Sequence, residues 1–245
     1  MKKMIAILMS LLMLCGIACT ANVQNEGQNT DAETQTDSKP DPVTGGWQIA
    51  GVGSDVLPED AAKAFTAATE KLVGVNYHPI ACLGSQVVAG MNYAILCTAE
   101  TVTAEPQTSL KVMILYVDLE GETELLEVSD FDLGAYAEKT DADVPAELLM
   151  GGWQAPEEAQ SPTAMPQNAA AAFSAATDGF VGNSLVPIAY LGSQIVAGTN
   201  YAFLCHSTLV TADPVTSIQL VIVYEDLEGN AAIAHIVTID PSDFH

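Results

Sequence analysis

Between residues 58 and 74, apolar side chains recur at three- and four-residue spacing: Ala61, Phe65, Ala68 and Leu72. Pro58 precedes them and Gly74 follows. This pattern predicts one amphipathic helix with the proline at its first position and the glycine as its stop. Downstream the period changes. Segments 77–86, 91–98, 110–117 and 124–129 are β-rich and parted by turn residues, which predicts four antiparallel strands. One helix followed by four such strands makes an α+β domain with the helix on one sheet face. Residues 110–117 are apolar on both alternating sets, so the other face calls for cover from a neighbouring domain or a second molecule.

The whole pattern then returns. PEDAAKAFTAATEKLVG (58–74) aligns with PQNAAAAFSAATDGFVG (166–182), so that Ala169, Phe173, Ala176 and Phe180 repeat the helical face between Pro166 and Gly182. PIACLGSQVVAGMNYAILC (79–97) aligns with PIAYLGSQIVAGTNYAFLC (187–205), and LYVDLEG (115–121) with VYEDLEG (223–229). GGWQ opens each copy, at Gly45 and at Gly151. A period near 108 residues is too long for a solenoid, so each copy is expected to be a complete domain. The expected division is 45–134 for the first, a polar linker over 135–148, and 149–245 for the second.

The octet QVVAGMNY (86–93), repeated as QIVAGTNY (194–201), resembles the first hairpin loop of the cystatins, above all the stefins. These are reversible, tight-binding inhibitors of papain-like cysteine proteases. The resemblance extends to order: a glycine near the start, one helix, the Gln-x-Val-x-Gly loop and a second hairpin loop follow one another in both copies. Gly46 precedes Gln86 by 40 residues, and Gly152 precedes Gln194 by 42. The resemblance implies two tandem cystatin-like domains, each with one helix on a four- to five-stranded antiparallel sheet. It also implies a protease-binding edge in each. In the first copy that edge is the trunk glycines Gly45 and Gly46, the loop Gln86, Val87, Val88, Ala89 and Gly90, and Leu119 of the second loop. In the second copy it is Gly151 and Gly152, then Gln194, Ile195, Val196, Ala197 and Gly198, and Leu227; Leu149 and Met150 offer an apolar trunk ahead of them. Small uncharged residues suit entry into a narrow cleft, because they bring no charge to desolvate. Glycine permits the tight turn, and β-branched valines lose little rotamer freedom when immobilised. The second loop departs from the family pattern, which presents Pro-Trp or Leu-Pro there. This chain has Asp118-Leu119-Glu120-Gly121 and Asp226-Leu227-Glu228-Gly229, whose carboxylates favour a partner with a basic rim.

The amino terminus adds an address. Lys2 and Lys3, an apolar run over 4–14 and the small-residue stretch Gly16-Ile17-Ala18 before Cys19 read as a secretory signal over 1–18. Cys19 resembles a bacterial lipobox cysteine, which implies lipidation there and a polar tether over 19–44. The expected location is the bacterial cell envelope, lipid-anchored and extracytoplasmic.

Charge excludes one class of partner. The chain has 7 Lys plus Arg, all of them lysines, against 31 Asp plus Glu, and residues 151–245 contain no cation. Such a field repels nucleic acid. Beyond Cys15 and Cys19 there remain Cys82, Cys97 and Cys205, an odd set that predicts small buried residues and no disulfide framework. His78, His206, His235 and His245 show no metal-ligand spacing, and Asp118, Glu120 and Glu122 lack the ligand series of a calcium loop. No cofactor, metal or enzymatic activity is expected. The alternative to inhibition is a recognition or self-association module that uses the cystatin-like fold and its uncovered sheet face.

Overall fold

The structure, a computed structural model, describes residues 45–49, 56–138, 152–156 and 165–244. The expected signal, the lipidation site Cys19, the tether, Gly151 with Leu149 and Met150, and His245 lie outside the described residues. Helix α1 spans Glu59–Thr69 in the first repeat. Its counterpart Gln167–Thr177 in the second is α3. Ala61, Ala64 and Phe65, and likewise Ala169, Ala172 and Phe173, form the buried faces.

Two details of the helices differ from expectation. Pro58 and Pro166 occupy the cap rather than the first helical position, with extended backbone at ψ 147° and 138°. The helices also end five residues ahead of Gly74 and Gly182. Those glycines instead turn the chain into the next strand, at φ +86° and +99°, where their carbonyls accept bonds from Val102 N and Val210 N at 2.9 Å. Leu72 and Phe180 therefore fall past the helices and are 37% and 38% exposed.

The strands follow the alternation in the sequence. The first sheet has the order β1-β2-β3-β4-β5, with β1 Trp47–Gln48, β2 Val75–Val88, β3 Gly90–Thr101, β4 Thr108–Val117 and β5 Thr123–Asp130. The second has the order β6-β7-β8-β9, with β6 Asn183–Val196, β7 Gly198–Leu209, β8 Thr216–Glu225 and β9 Ala231–Ile239. All pairings are antiparallel. Register shifts at Pro79/Ala81 and Pro187/Ala189 sit where proline removes a ladder donor.

The two faces of each sheet bury different residues. Cys82, Tyr93, Ile95, Cys97, Met113 and Leu115 pack under α1. Tyr190, Tyr201, Phe203, Cys205, Val221 and Val223 pack under α3. The opposite faces meet each other. Leu83, Leu96, Val112 and Ile114 of the first sheet share one core with Leu191, Leu204, Leu220 and Ile222 of the second. The layer order is helix, sheet, sheet, helix. The described residues from 45 onward belong to one compact unit, in which two tandem α+β repeats each supply half of a common core. Short helix α2, Leu133–Glu138, runs into the span read as linker. There Leu133, Tyr136 and Ala137 join the common core, and Phe131 stacks on Phe244 with centroids 6.1 Å apart. The sheet face left open for a recognition partner is thus covered from within the chain.

Cys82, Cys97 and Cys205 are free and buried. Burial pushes the Cys82 thiol up to about 11 and Cys97 to about 12, and raises Cys205 further still. Since the thiolate is the reactive form, these three are expected to stay silent toward a disulfide reagent at pH 8. They should titrate fully in guanidinium. Rapid labelling of any one in the native protein would mean that its core opens.

Candidate functional site

The octet closes the hairpin between β2 and β3 as tightly as a chain allows. Val88 pairs with Gly90, leaving Ala89 alone at the apex; Val196, Gly198 and Ala197 repeat the arrangement. Gly90 sits at φ +137° and Gly198 at +133°, a region that side chains with a Cβ rarely adopt. A Cβ on Gly90 would drive into Val117 O and lie 2.9 Å from Tyr116 Cε2; on Gly198 it would drive into Glu225 O and lie 2.8 Å from Tyr224 Cε2. The close approach has a purpose in the fold. Tyr116 Oη donates to the apex carbonyl of Ala89 at 2.6 Å, and Tyr224 Oη to Ala197 O at 2.5 Å. Each apex is therefore pinned to the neighbouring strand.

The polar letters of the octet are structural. Asn92 Nδ2 donates to Gln86 Oε1 at 2.8 Å, and Asn200 Nδ2 to Gln194 Oε1 at 2.9 Å. Each amide pair bridges the base of its hairpin. Gln86 Nε2 also donates to Gly45 O at 2.9 Å, and Gly45 N donates to Val87 O at 3.2 Å. The trunk of the first repeat is thereby fastened beside the loop. The octet tyrosines Tyr93 and Tyr201 are core residues under the helices, and Tyr201 Oη donates to Glu225 Oε2 at 3.0 Å.

The trunks lie along the same edge. Trp47 and Gln48 pair with Gln86 and Ser85 as β1, while Gln154 bridges Ser193 in the second repeat. Gly192 makes the second bridge possible, because its Cβ would collide with Gln154 O. Gly84 accommodates the first trunk in the same way, with Gln48 O 3.2 Å from where a Cβ would be. Trp47 and Trp153 pack against the common core, which places them as anchors of the trunk. A cleft of about 490 Å³ runs beside Gly45, Gly46 and Trp47, and its far wall is 238–242 of the second repeat.

The second loop completes the edge. Met91 opposes Val117, so the β4–β5 turn stands next to the β2–β3 apex. Asp118 Oδ1 accepts from Glu120 N at 2.9 Å and Glu122 N at 2.8 Å, and Gly121 N donates to Asp118 O at 3.2 Å. Asp226 builds the same turn with Glu228, Gly229 and Asn230. The Asn230 side-chain amide on Asp226 holds that carboxyl below its ordinary range. Leu119 and Leu227 project from these turns, 82% and 81% exposed.

In the first repeat the structure brings together Gly45, Gly46, Gln86, Val87, Val88, Ala89, Gly90 and Leu119. In the second it brings together Gln194, Ile195, Val196, Ala197, Gly198 and Leu227, with Gly152 just ahead of the Gln154 bridge. Gly152 is surrounded by open space, so packing does not require a glycine there. What the edge offers outward is apolar and uncharged at its apex: Val88 is 38% exposed and Ile195 67%, with Ala89 and Ala197 exposed beside them. Sequence reasoning overlooked Tyr116 and Tyr224, whose only signal is their recurrence two residues before the Asp-Leu-Glu-Gly turns. Among the described residues, no cluster of His, Cys, Asp and Glu can hold a metal ion. Compared with family models and with curated proteins, the chain matches none.

Proposed function

We propose that the protein inhibits papain-like cysteine proteases by inserting the edge of each repeat into an active-site cleft. In this reading it does so from the envelope surface through the anchor at Cys19. One observation carries the reading. Trunk, octet apex and second-loop apex stand side by side at one edge of the first repeat, and the two loops do so again in the second. The presentation is stiff. The Tyr–Ala bond, the Gln–Asn pair and the Asp turn fix the loops before any partner arrives. Immobilising a side chain on binding costs about 0.5–1.5 kcal/mol, so an edge ordered in advance retains more of its contact energy. The occlusion is steric, with no covalent step.

The test is a titration of papain with the soluble chain that starts after Cys19. The expected result is stoichiometric loss of activity at two enzymes per chain. One enzyme per chain would confine inhibition to a single repeat. Full activity of papain and several relatives beside the folded protein would overturn the reading.

A further inference from the structure

The two edges share a backbone but differ in charge. In the first repeat the second loop and the strand behind it carry Glu120, Glu122 and Glu124, all exposed. Glu124 lies directly across from Tyr116, the residue that pins the Ala89 apex. The lysines described in ion pairs are committed elsewhere, Lys63 to Glu59 and Asp60, and Lys111 to Asp130. Among the described residues, no ion pair reaches these three carboxylates.

In the second repeat the corresponding positions are Glu228, Asn230 and Ala232. Glu225, which replaces Val117, accepts the Tyr201 hydroxyl on the helix side of the sheet. Asp226 is taken up twice, by backbone N–H groups and by the Asn230 side chain at 2.8 Å. Glu228 is left as the one outward carboxylate of the turn. Both edges keep the same uncharged apex and the same projecting leucine. Their charge differs in the rim.

We infer that the repeats are matched to different targets. The first takes a papain-like protease whose cleft is rimmed with lysine and arginine, and the second takes a cleft irrespective of rim charge. This rests on the proposed role of the loops as a protease-binding edge. Exposed charges set association rate and partner choice more than packing energy does, and salt screens them.

The experiment uses the full soluble chain with one edge disabled at a time. Gly198→Trp leaves the first edge and Gly90→Trp leaves the second. Each is assayed against two papain-like proteases, one with a basic cleft rim and one with an acidic rim, in 50 and 500 mM NaCl. With the first edge alone, inhibition of the basic-rimmed enzyme should weaken roughly tenfold across that salt range. Glu120→Gln, Glu122→Gln and Glu124→Gln together should remove that advantage. With the second edge alone, salt and rim charge should change inhibition less than about twofold. Equal salt dependence of the two edges, or an unchanged inhibition constant for the triple glutamine variant, overturns the inference. No inhibition of either enzyme by the unmodified chain removes the parent reading, and this one with it.

Discussion

Either repeat produced alone is expected to lose its fixed tertiary structure. Cutting the chain between 138 and 152 exposes, in the first repeat, Leu83, Leu96, Leu110, Val112, Ile114, Phe131 and Leu133, all buried in the common core. Full burial of such a side chain is worth about 1.5–3 kcal/mol. The loss therefore comes to roughly 10–20 kcal/mol, against the 5–15 kcal/mol that holds a typical domain folded. The second repeat loses Leu191, Leu204, Ile218, Leu220 and Ile222 from the same core and fares no better. The measurement is near-UV circular dichroism with dye binding on the separate halves and the intact chain. Halves with a native near-UV spectrum and a sharp melt would show that the sheets are self-sufficient. The intact chain should unfold in one calorimetric transition.

The second large effect concerns the apex glycines. Gly90→Val with Gly198→Val is expected to abolish papain inhibition, by at least about a hundredfold, because the hairpin must open to relieve two faults at once. The residue is β-branched at positive φ, a strain of order 1–3 kcal/mol, and its Cβ is forced against a backbone carbonyl that cannot swing away. The apices are peripheral to all three hydrophobic cores, so the fold should survive with a melting temperature lowered by roughly 4–24 °C, from two strained sites and about 2–4 °C per kcal/mol at this size. Tyr116→Phe and Tyr224→Phe form a gentler pair that keeps the rings and removes the bonds to Ala89 and Ala197. If the valine variant inhibits like the parent, the loops do not enter the cleft.

Much of this architecture is legible in the residues. The spacing of Ala61 and Phe65 marks the helix, and the apolar alternation marks the strands, because both signals are local and periodic. The helix stops are misplaced because glycine serves two roles. Gly74 and Gly182 have the positive φ of a helix end, yet they serve the entry into β2 and β6. The amphipathic pattern runs on through Leu72 and Phe180 only by composition.

The common core is half legible. A strand apolar on both faces demands two covers, but no local pattern says whether the second comes from the same chain. The octet is recognisable as a unit, whereas its division of labour is not. Gln86 and Asn92 brace the hairpin and Tyr93 fills the core, so the exposed side chains left at the apices to meet a partner are Val88 and Ala89 in the first repeat and Ile195 and Ala197 in the second. Tyr116 acts from the neighbouring strand, and only the register of β3 against β4 reveals it.

The bond from Tyr116 to the Ala89 carbonyl has a chemical consequence. A cysteine protease cleaves a peptide by letting its carbonyl oxygen swing into an oxyanion hole while the carbon becomes tetrahedral. The apex oxygen is already held by a phenol 2.6 Å away, and its flanking residues are paired across the hairpin. Reaching the tetrahedral geometry would require breaking that bond and the pairing together. The Ala89–Gly90 peptide is thus held in a shape that resists hydrolysis even when it lies within reach of a nucleophile.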